Sequence, residues 1–411
     1  MRSARFASLL VGGIIVVALG CGDNAKTQQY LIPQPEDLSL VPETRVVMAV
    51  EAVQAEVAKA PQFATAWARL GHIYFIHAWE TEAVVCYRRA TELAPDDYRW
   101  FYYLGRSLSK VDPAAAVDAL KRSIALNANY APAHLYCAYG QRHLGRLDEA
   151  KQHFKRVADL APQNPFAQLR LGELALSAGK FQTARDHLQR ALTLNPEQSE
   201  VHAALAQLYL MLDNQVEAQR HAQAARRPTK YEPMDDPLWA QVQMAGMTRK
   251  WFAYRGRQFL EAQDYERAVT ELAVAVSGEQ KDPKVWYNYG AALVGAKWHE
   301  EAIAALKRAL TENDGNHKTD EIASEELQAI IYNELGMAYA QRGNLELAEQ
   351  YIQKALSHNP ALFEAINNLV VLYRHQGQLA DAVHFLQRTQ EIHAVPKISR
   401  LLDELLREVG Q

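Results

Sequence analysis

Few side chains in this sequence are of a type and spacing that could do chemistry. There are three thiols, Cys21, Cys86 and Cys137, and one run of imidazoles lies near a thiol: His134, His143 and His153 around Cys137. His134 and Cys137 are three residues apart, so on a helix they share a face and could share a metal ion. His153 falls on a different helix, however, and Cys137 on a core-facing position. A buried thiol beside surface histidines is the better reading. The phosphate-cradling pattern G-x-x-x-x-G-K-S/T, the nucleophile pattern G-x-S-x-G and the metalloprotease pattern H-E-x-x-H do not occur. Nor does the haem-attachment pattern C-x-x-C-H. No catalytic residue, metal ligand or cofactor site is expected, and the chain does not read as an enzyme.

The elements that place these side chains recur at about 34 residues. The clearest unit holds Trp67-x-x-Leu70-Gly71-x-x-Tyr74, then Ala83, Tyr87, Ala90 and Pro95. A second holds Tyr332, Leu335, Gly336, Tyr339, Ala348, Ile352, Ala355 and Pro360, and a third Leu171, Gly172, Ala184, Leu188, Ala191 and Pro196. Small residues at fixed positions let two antiparallel helices approach closely, bulky ones fill the space beside the contact, and proline stops the second helix. This pattern resembles the tetratricopeptide repeat. Units start near residues 64, 98, 131, 165, 199, 249, 283, 329 and 363. The resemblance implies an all-α fold, a right-handed superhelical solenoid of about nine helical hairpins with capping helices at both ends.

The segments outside the repeat complete the division of the chain. Residues 1–20 read as a signal peptide, 21–43 as a lipidated cysteine with a flexible tether, and 44–63 as an N-terminal capping helix. Residues 64–225 hold five units, 226–248 connect, 249–396 hold four more, and 397–411 form a C-terminal cap. Thr319 is positioned to start a helix that runs on into Tyr332.

On each first helix, the second, fifth, ninth, twelfth and thirteenth positions lie beside the core stripe and are expected to face outward. In the tetratricopeptide family that stripe lines the concave groove where partner peptides bind. Mapped by position, it contains Arg99, Tyr102, Arg106, Tyr139, Arg142 and His143 in the first five units. In the last four it contains Arg257, Tyr287, Asn333, Asn367 and Arg374. Basic and aromatic residues gather there, of the types enriched at binding hot spots. Tyr102, Arg106, Tyr139 and Arg142 are expected to form one patch suited to an acidic or C-terminal peptide segment. Ala68 and His72 stand where the family's carboxylate clamp has Lys and Asn, so recognition of chaperone tails is not expected.

Lys and Arg number 44 against 48 Asp and Glu, a net charge of −4, which is not the footprint of a nucleic-acid binder. Arg2 and Arg5 precede an apolar or small-residue run from Phe6 to Leu19, shorter than the ~20 residues a spanning helix needs. Ala18-Leu19-Gly20-Cys21 resembles a bacterial lipobox, which implies a diacylated Cys21 and a lipid anchor. Gly22, rather than Asp, then favours the periplasmic face of the outer membrane, with the inner membrane or cell surface as alternatives. The expected function is a non-catalytic scaffold for protein or peptide partners in an envelope, pilus or secretion assembly. A periplasmic chaperone-like peptide binder is the alternative, followed by an accessory subunit of an enzyme system. No small-molecule substrate is expected.

Overall fold

The small residues of the repeat sit where helices cross. The structure, a computed structural model, describes residues 43–226, 234–278, 281–314, 321–392 and 396–409, with 8–11, 14–17, 30–35 and 38 nearer the N-terminus. Cys21, most of the segment read as a signal peptide, and Thr319 lie outside them.

The chain divides into two compact units, Met1–Gly246 and Met247–Gln411. In the first, α1 (Thr44–Lys59) precedes five hairpins. These are α2 (Ala64–Ile76) with α3 (Glu80–Leu93), α4 (Tyr98–Leu108) with α5 (Pro113–Leu126), and α6 (Ala131–His143) with α7 (Leu147–Leu160). They continue with α8 (Pro165–Ser177) and α9 (Phe181–Leu194), then α10 (Ser199–Met211) and α11 (Gln215–Ala225), and are followed by a short helix, α12 (Pro237–Met244). The second unit pairs α13 (Arg249–Glu261) with α14 (Tyr265–Ala275), and α15 (Pro283–Gly295) with α16 (His299–Asp314). It then pairs α17 (Glu321–Gln341) with α18 (Leu345–His358), and α19 (Phe363–His375) with α20 (Leu379–Ile392). It closes on α21 (Pro396–Val409). Among the described residues the hairpins number nine, and eight of the nine first helices begin at the residue the repeat predicts. The exception is α17, which starts at Glu321 rather than 329.

Each hairpin closes through its glycine or alanine. A Cβ on Gly71 would lie 2.8 Å from the Tyr87 ring, and one on Gly336 2.5 Å from Ile352 and 3.0 Å from the Ala348 carbonyl oxygen. Ala83 and Ala90 are wholly buried on the facing helix. Several helices are started by side-chain caps: Asp97 accepts from the Arg99 backbone N–H, Asp112 from that of Ala115, and Asn344 from that of Leu347. The hairpin turns need a left-handed residue, which glycine adopts without penalty at Gly179 and Gly343.

One expectation is corrected. Residues 30–35 are not tether. Tyr30–Pro33 forms a strand, Ile32 and Leu38 join the core of the first unit, and the Pro33 carbonyl accepts from the Tyr74 hydroxyl at 2.6 Å. That strand pairs antiparallel with Ile14–Val17, which pairs with Ser8–Val11; both partners lie in the segment read as a signal peptide, so on that reading the processed chain keeps Tyr30–Pro33 without them. The N-terminal capping segment forms one helix, α1. It buries Val46, Val50, Gln54 and Val57, with Gln54 donating to the Tyr74 hydroxyl at 2.8 Å. Within the connecting segment, helix α12 docks on the first unit.

Gln141 on α6 is wholly buried, and neither atom of its amide finds a hydrogen-bond partner among the described residues. An unpaired buried amide costs about 1–3 kcal/mol. Gln141→Met, close in volume, is expected to raise stability by about 1 kcal/mol, read as a higher denaturation midpoint at unchanged slope.

Candidate functional site

On the inner wall of the first unit, the part formed by α4 and α6 is occupied. Arg106 lies one turn beyond Tyr102 on α4, so the two side chains meet, and the guanidinium donates to the Tyr102 oxygen at 2.7 Å. Both converge on Asp236, the N-cap of α12, whose carboxylate accepts from the Tyr102 hydroxyl and from Arg106 at 3.1 Å. Tyr130, just before α6, donates to the same carboxylate at 2.6 Å. Asp236 also accepts the Trp239 backbone N–H at 2.9 Å, which starts α12. The Arg106 guanidinium is sandwiched between the Tyr136 ring (3.6 Å to its centroid) and the Trp239 ring (4.4 Å). The backbone of α12 is read as well: the Leu238 carbonyl accepts from Tyr103 and its N–H donates to Tyr130.

This cluster is nearly dry, with side-chain exposures of 11% for Arg106 and 8% for Asp236. Burial works against the Arg106 charge, but Tyr102, Tyr136 and Asp236 outweigh it and hold its pKa above the usual value. Burial, reinforced by Asp236, pushes the Tyr102 hydroxyl well up, although Arg106 pulls the other way. Tyr102 therefore stays protonated and donates, while Arg106 stays charged. Together they form a preset acceptor for one carboxylate.

The expected open patch is therefore half filled. Tyr102 is fully buried and Arg106 nearly so. Ala68, Leu135, Leu169 and Asn333 are buried at the same fifth position of their first helices, whereas Ala203 is exposed and Ala253, Tyr287 and Asn367 are half-buried. Arg99 is not a free contact either, because it folds onto Asp97 at 2.6 Å and over the Trp100 ring. Tyr139, His143 and Arg106 do come together, lining a cavity of about 220 Å³ with Tyr136 and Ser109. Beside it Arg142 pairs with Glu173 at 3.1 Å, and Glu173 also binds Arg170, which lies over the Tyr139 ring. His143 is exposed.

In the second unit, two carboxylates act on Tyr287. Burial raises the Tyr287 pKa, with Glu334 and Glu364 adding to the shift. Burial also raises the Glu334 carboxyl to about 7. Asn333 is buried and accepts from Asn368 at 2.9 Å, while Asn367 is half-buried. Arg257 faces Glu261 at 3.9 Å, and Arg374 is paired with Glu408 of the C-terminal helix α21.

The histidines near Cys137 are not all at the surface. His134 is buried, its Nδ1 lies 3.1 Å from Nδ1 of His153, and Nε2 of His153 is 3.4 Å from the Cys137 sulfur. Among the described residues no three His, Cys, Asp or Glu side chains are grouped to hold a metal. Burial pushes the Cys137 thiol up to about 11, and Cys86 and Cys137 are both free and buried. The sequence reading missed Asp236, Trp239, Tyr130 and Tyr136. Asp236-Pro237 is a helix-start signal, but nothing in its spacing pointed to the wall it meets.

The sequence matches the tetratricopeptide repeat family over residues 64–97, 141–208, 175–230, 255–317, 329–362 and 363–394. It is 25% identical over 133 residues to BBSome complex member BBS4 of Xenopus tropicalis, covering 32% of this chain and 26% of that protein. It is 30% identical over 101 residues to photosystem I assembly protein Ycf3 of Rippkaea orientalis, covering 24% and 53%. The chain thus spans about a quarter and about half of these two relatives. Among solved structures it resembles MamA (23% identity, 36% of this chain and 86% of that one, TM-score 0.35). It also resembles PilW, a type IV pilus biogenesis factor (19% identity, 43% and 82%, TM-score 0.38).

Proposed function

The chain belongs to the tetratricopeptide repeat family, and on that premise we propose that it is a non-catalytic scaffold, tethered to a membrane of the cell envelope by a lipid on Cys21. It holds protein partners on the inner faces of its hairpins, within an envelope, pilus or secretion assembly. The observation that carries the binding claim is the inner wall itself. A charged guanidinium and two tyrosine hydroxyls converge on one carboxylate, and a helix rests on the surrounding aromatic rings. That is how a helical array captures a peptide segment. The Ycf3 relative is itself named for an assembly role.

The tether rests on Arg2, Arg5, the apolar run and Ala18-Leu19-Gly20-Cys21. No helix among the described residues is long and apolar enough to cross a membrane. Two or three acyl chains, at about 0.8 kcal/mol per buried methylene, make a durable anchor.

Metabolic labelling with a palmitate analogue should mark the wild type, which should sediment with membranes. Cys21→Ser should be unlabelled and lose that sedimentation. Equal labelling of both removes the tether. Cross-linking in the native host followed by affinity recovery should return a small reproducible set of proteins, and recovery of none removes the scaffold.

A further inference from the structure

Helix α12 meets the first unit in the manner of a bound peptide. It belongs to none of the nine hairpins and has eight residues, too few to hold a helix alone in water. Its apolar side, Leu238 and Val242, is buried in the core of the first unit, and Tyr103 donates to Gln241, while its charged contacts gather at the first turn. Asp236 sits in the carboxylate acceptor, Leu238 engages Tyr103 and Tyr130 through its backbone, and Trp239 covers Arg106 and meets Phe75 edge to face. The wall it touches is made by the first three hairpins, through α2, α4 and α6, and these pack on one another without it. The recognition groups therefore remain in place if α12 leaves. What α12 covers is also charged: a guanidinium between two aromatic faces, which attracts an acidic group and an aromatic plane together.

We infer that the Arg106–Tyr102–Tyr130 acceptor is the partner-recognition site of this unit. Its partner carries an acidic residue that starts a short helix and an aromatic residue three positions later, as Asp236 and Trp239 do. Helix α12 is the built-in competitor that this partner displaces. The inference rests on the inner wall being the partner-binding face, and it adds the chemistry of the partner and the lock on the site. A short tether gives a local concentration on the order of 1 mM. If the free segment binds with a Kd of about 10 μM, about one molecule in a hundred is open. An outside ligand then loses about 100-fold in affinity.

The probe is a fluorescent synthetic peptide of residues 234–246, titrated against the full-length wild type and against Asp236→Ala/Trp239→Ala. The double variant should bind it at least 50-fold more tightly than the wild type, in line with the tether estimate. A peptide with alanine in place of its Asp236 should not bind. The inference is overturned if the peptide binds neither protein, binds both equally, or ignores the loss of its acid. Hydrogen exchange on the wild type gives a reading that does not depend on the variant folding. Residues 237–244 should exchange at least tenfold faster than α4 and α6. Equal protection makes α12 a fixed part of the core and overturns the lock. Partners captured elsewhere on the array, with no peptide binding here, would leave the scaffold intact and remove this site alone.

Discussion

Lowering the pH from 7.5 to 5 is expected to loosen the first unit and tighten the second. Burial lowers His72 and His77 to about 4, and burial together with His134 and Lys121 does the same for His153. All three lie in the first unit. Their unfolded value is near 6.5, so below it the unfolded chain takes up protons that the folded chain refuses. The stability they contribute is complete above about pH 6.5 and is lost as the pH falls toward 4.

Glu334, in the second unit, has the opposite sign. Burial raises it to about 7, above its ordinary value of 4.5. Its contribution is complete below about pH 4.5 and is lost as the pH rises through 7. One pKa unit is about 1.4 kcal/mol, and His77, His153 and Glu334 are partly exposed, so the full shifts are discounted. At pH 5 the first unit should lose on the order of 3 kcal/mol and the second gain on the order of 1–2 kcal/mol. Hydrogen exchange corrected for intrinsic rates reads both. Protection should fall in α2, α3 and α7 and rise in α17. A fall of equal size in both units would show that neither set of burials controls the response.

The second large effect is steric. Gly336→Val should destabilise the second unit by about 3 kcal/mol. The new Cβ would lie 2.5 Å from Ile352 and 3.0 Å from the Ala348 carbonyl oxygen, and the backbone oxygen has no rotamer by which to withdraw. The gain in helix propensity over glycine is below 1 kcal/mol, too small to compensate. Gly343→Ala is the control. Nothing lies within 4 Å of its added Cβ, and its φ of 85° makes it cost about 1–2 kcal/mol through backbone strain alone. Because each hairpin contacts its neighbours only, the loss from Gly336→Val should centre on α17 and α18. A smaller loss than for Gly343→Ala would show that the helix contact is not the tight one.

The hairpins were legible because their signal is periodic and local: Gly71 with Tyr87, and Gly336 with Ile352, recur at one spacing. The inner wall was legible only in part. The stripe rule found Tyr102, Arg106, Tyr139 and His143, since helix geometry fixes which residues share a face. It erred at the fifth position, where packing between neighbouring hairpins buries Tyr102 and Asn333. It could not find Asp236, which lies 130 residues from Arg106 and outside the repeat. Histidine contacts across a hairpin were a missed regularity. His134 with His153, Gln168 with His187, and His202 with His221 each meet across 19 residues in successive hairpins. Of these, His134 and His153 were expected at the surface, whereas His134 is buried, as is His221.

The central claim is that partners dock on the inner wall. A photo-cross-linking residue placed at His143, exposed beside the Arg106 cavity, is compared in the native host with one at Lys121, exposed on α5. Neither position is part of the carboxylate acceptor, so both proteins should fold. Light should yield a discrete adduct with another protein from position 143 and none from position 121. An adduct from position 121 alone would place the partner on the outer helices and contradict the account.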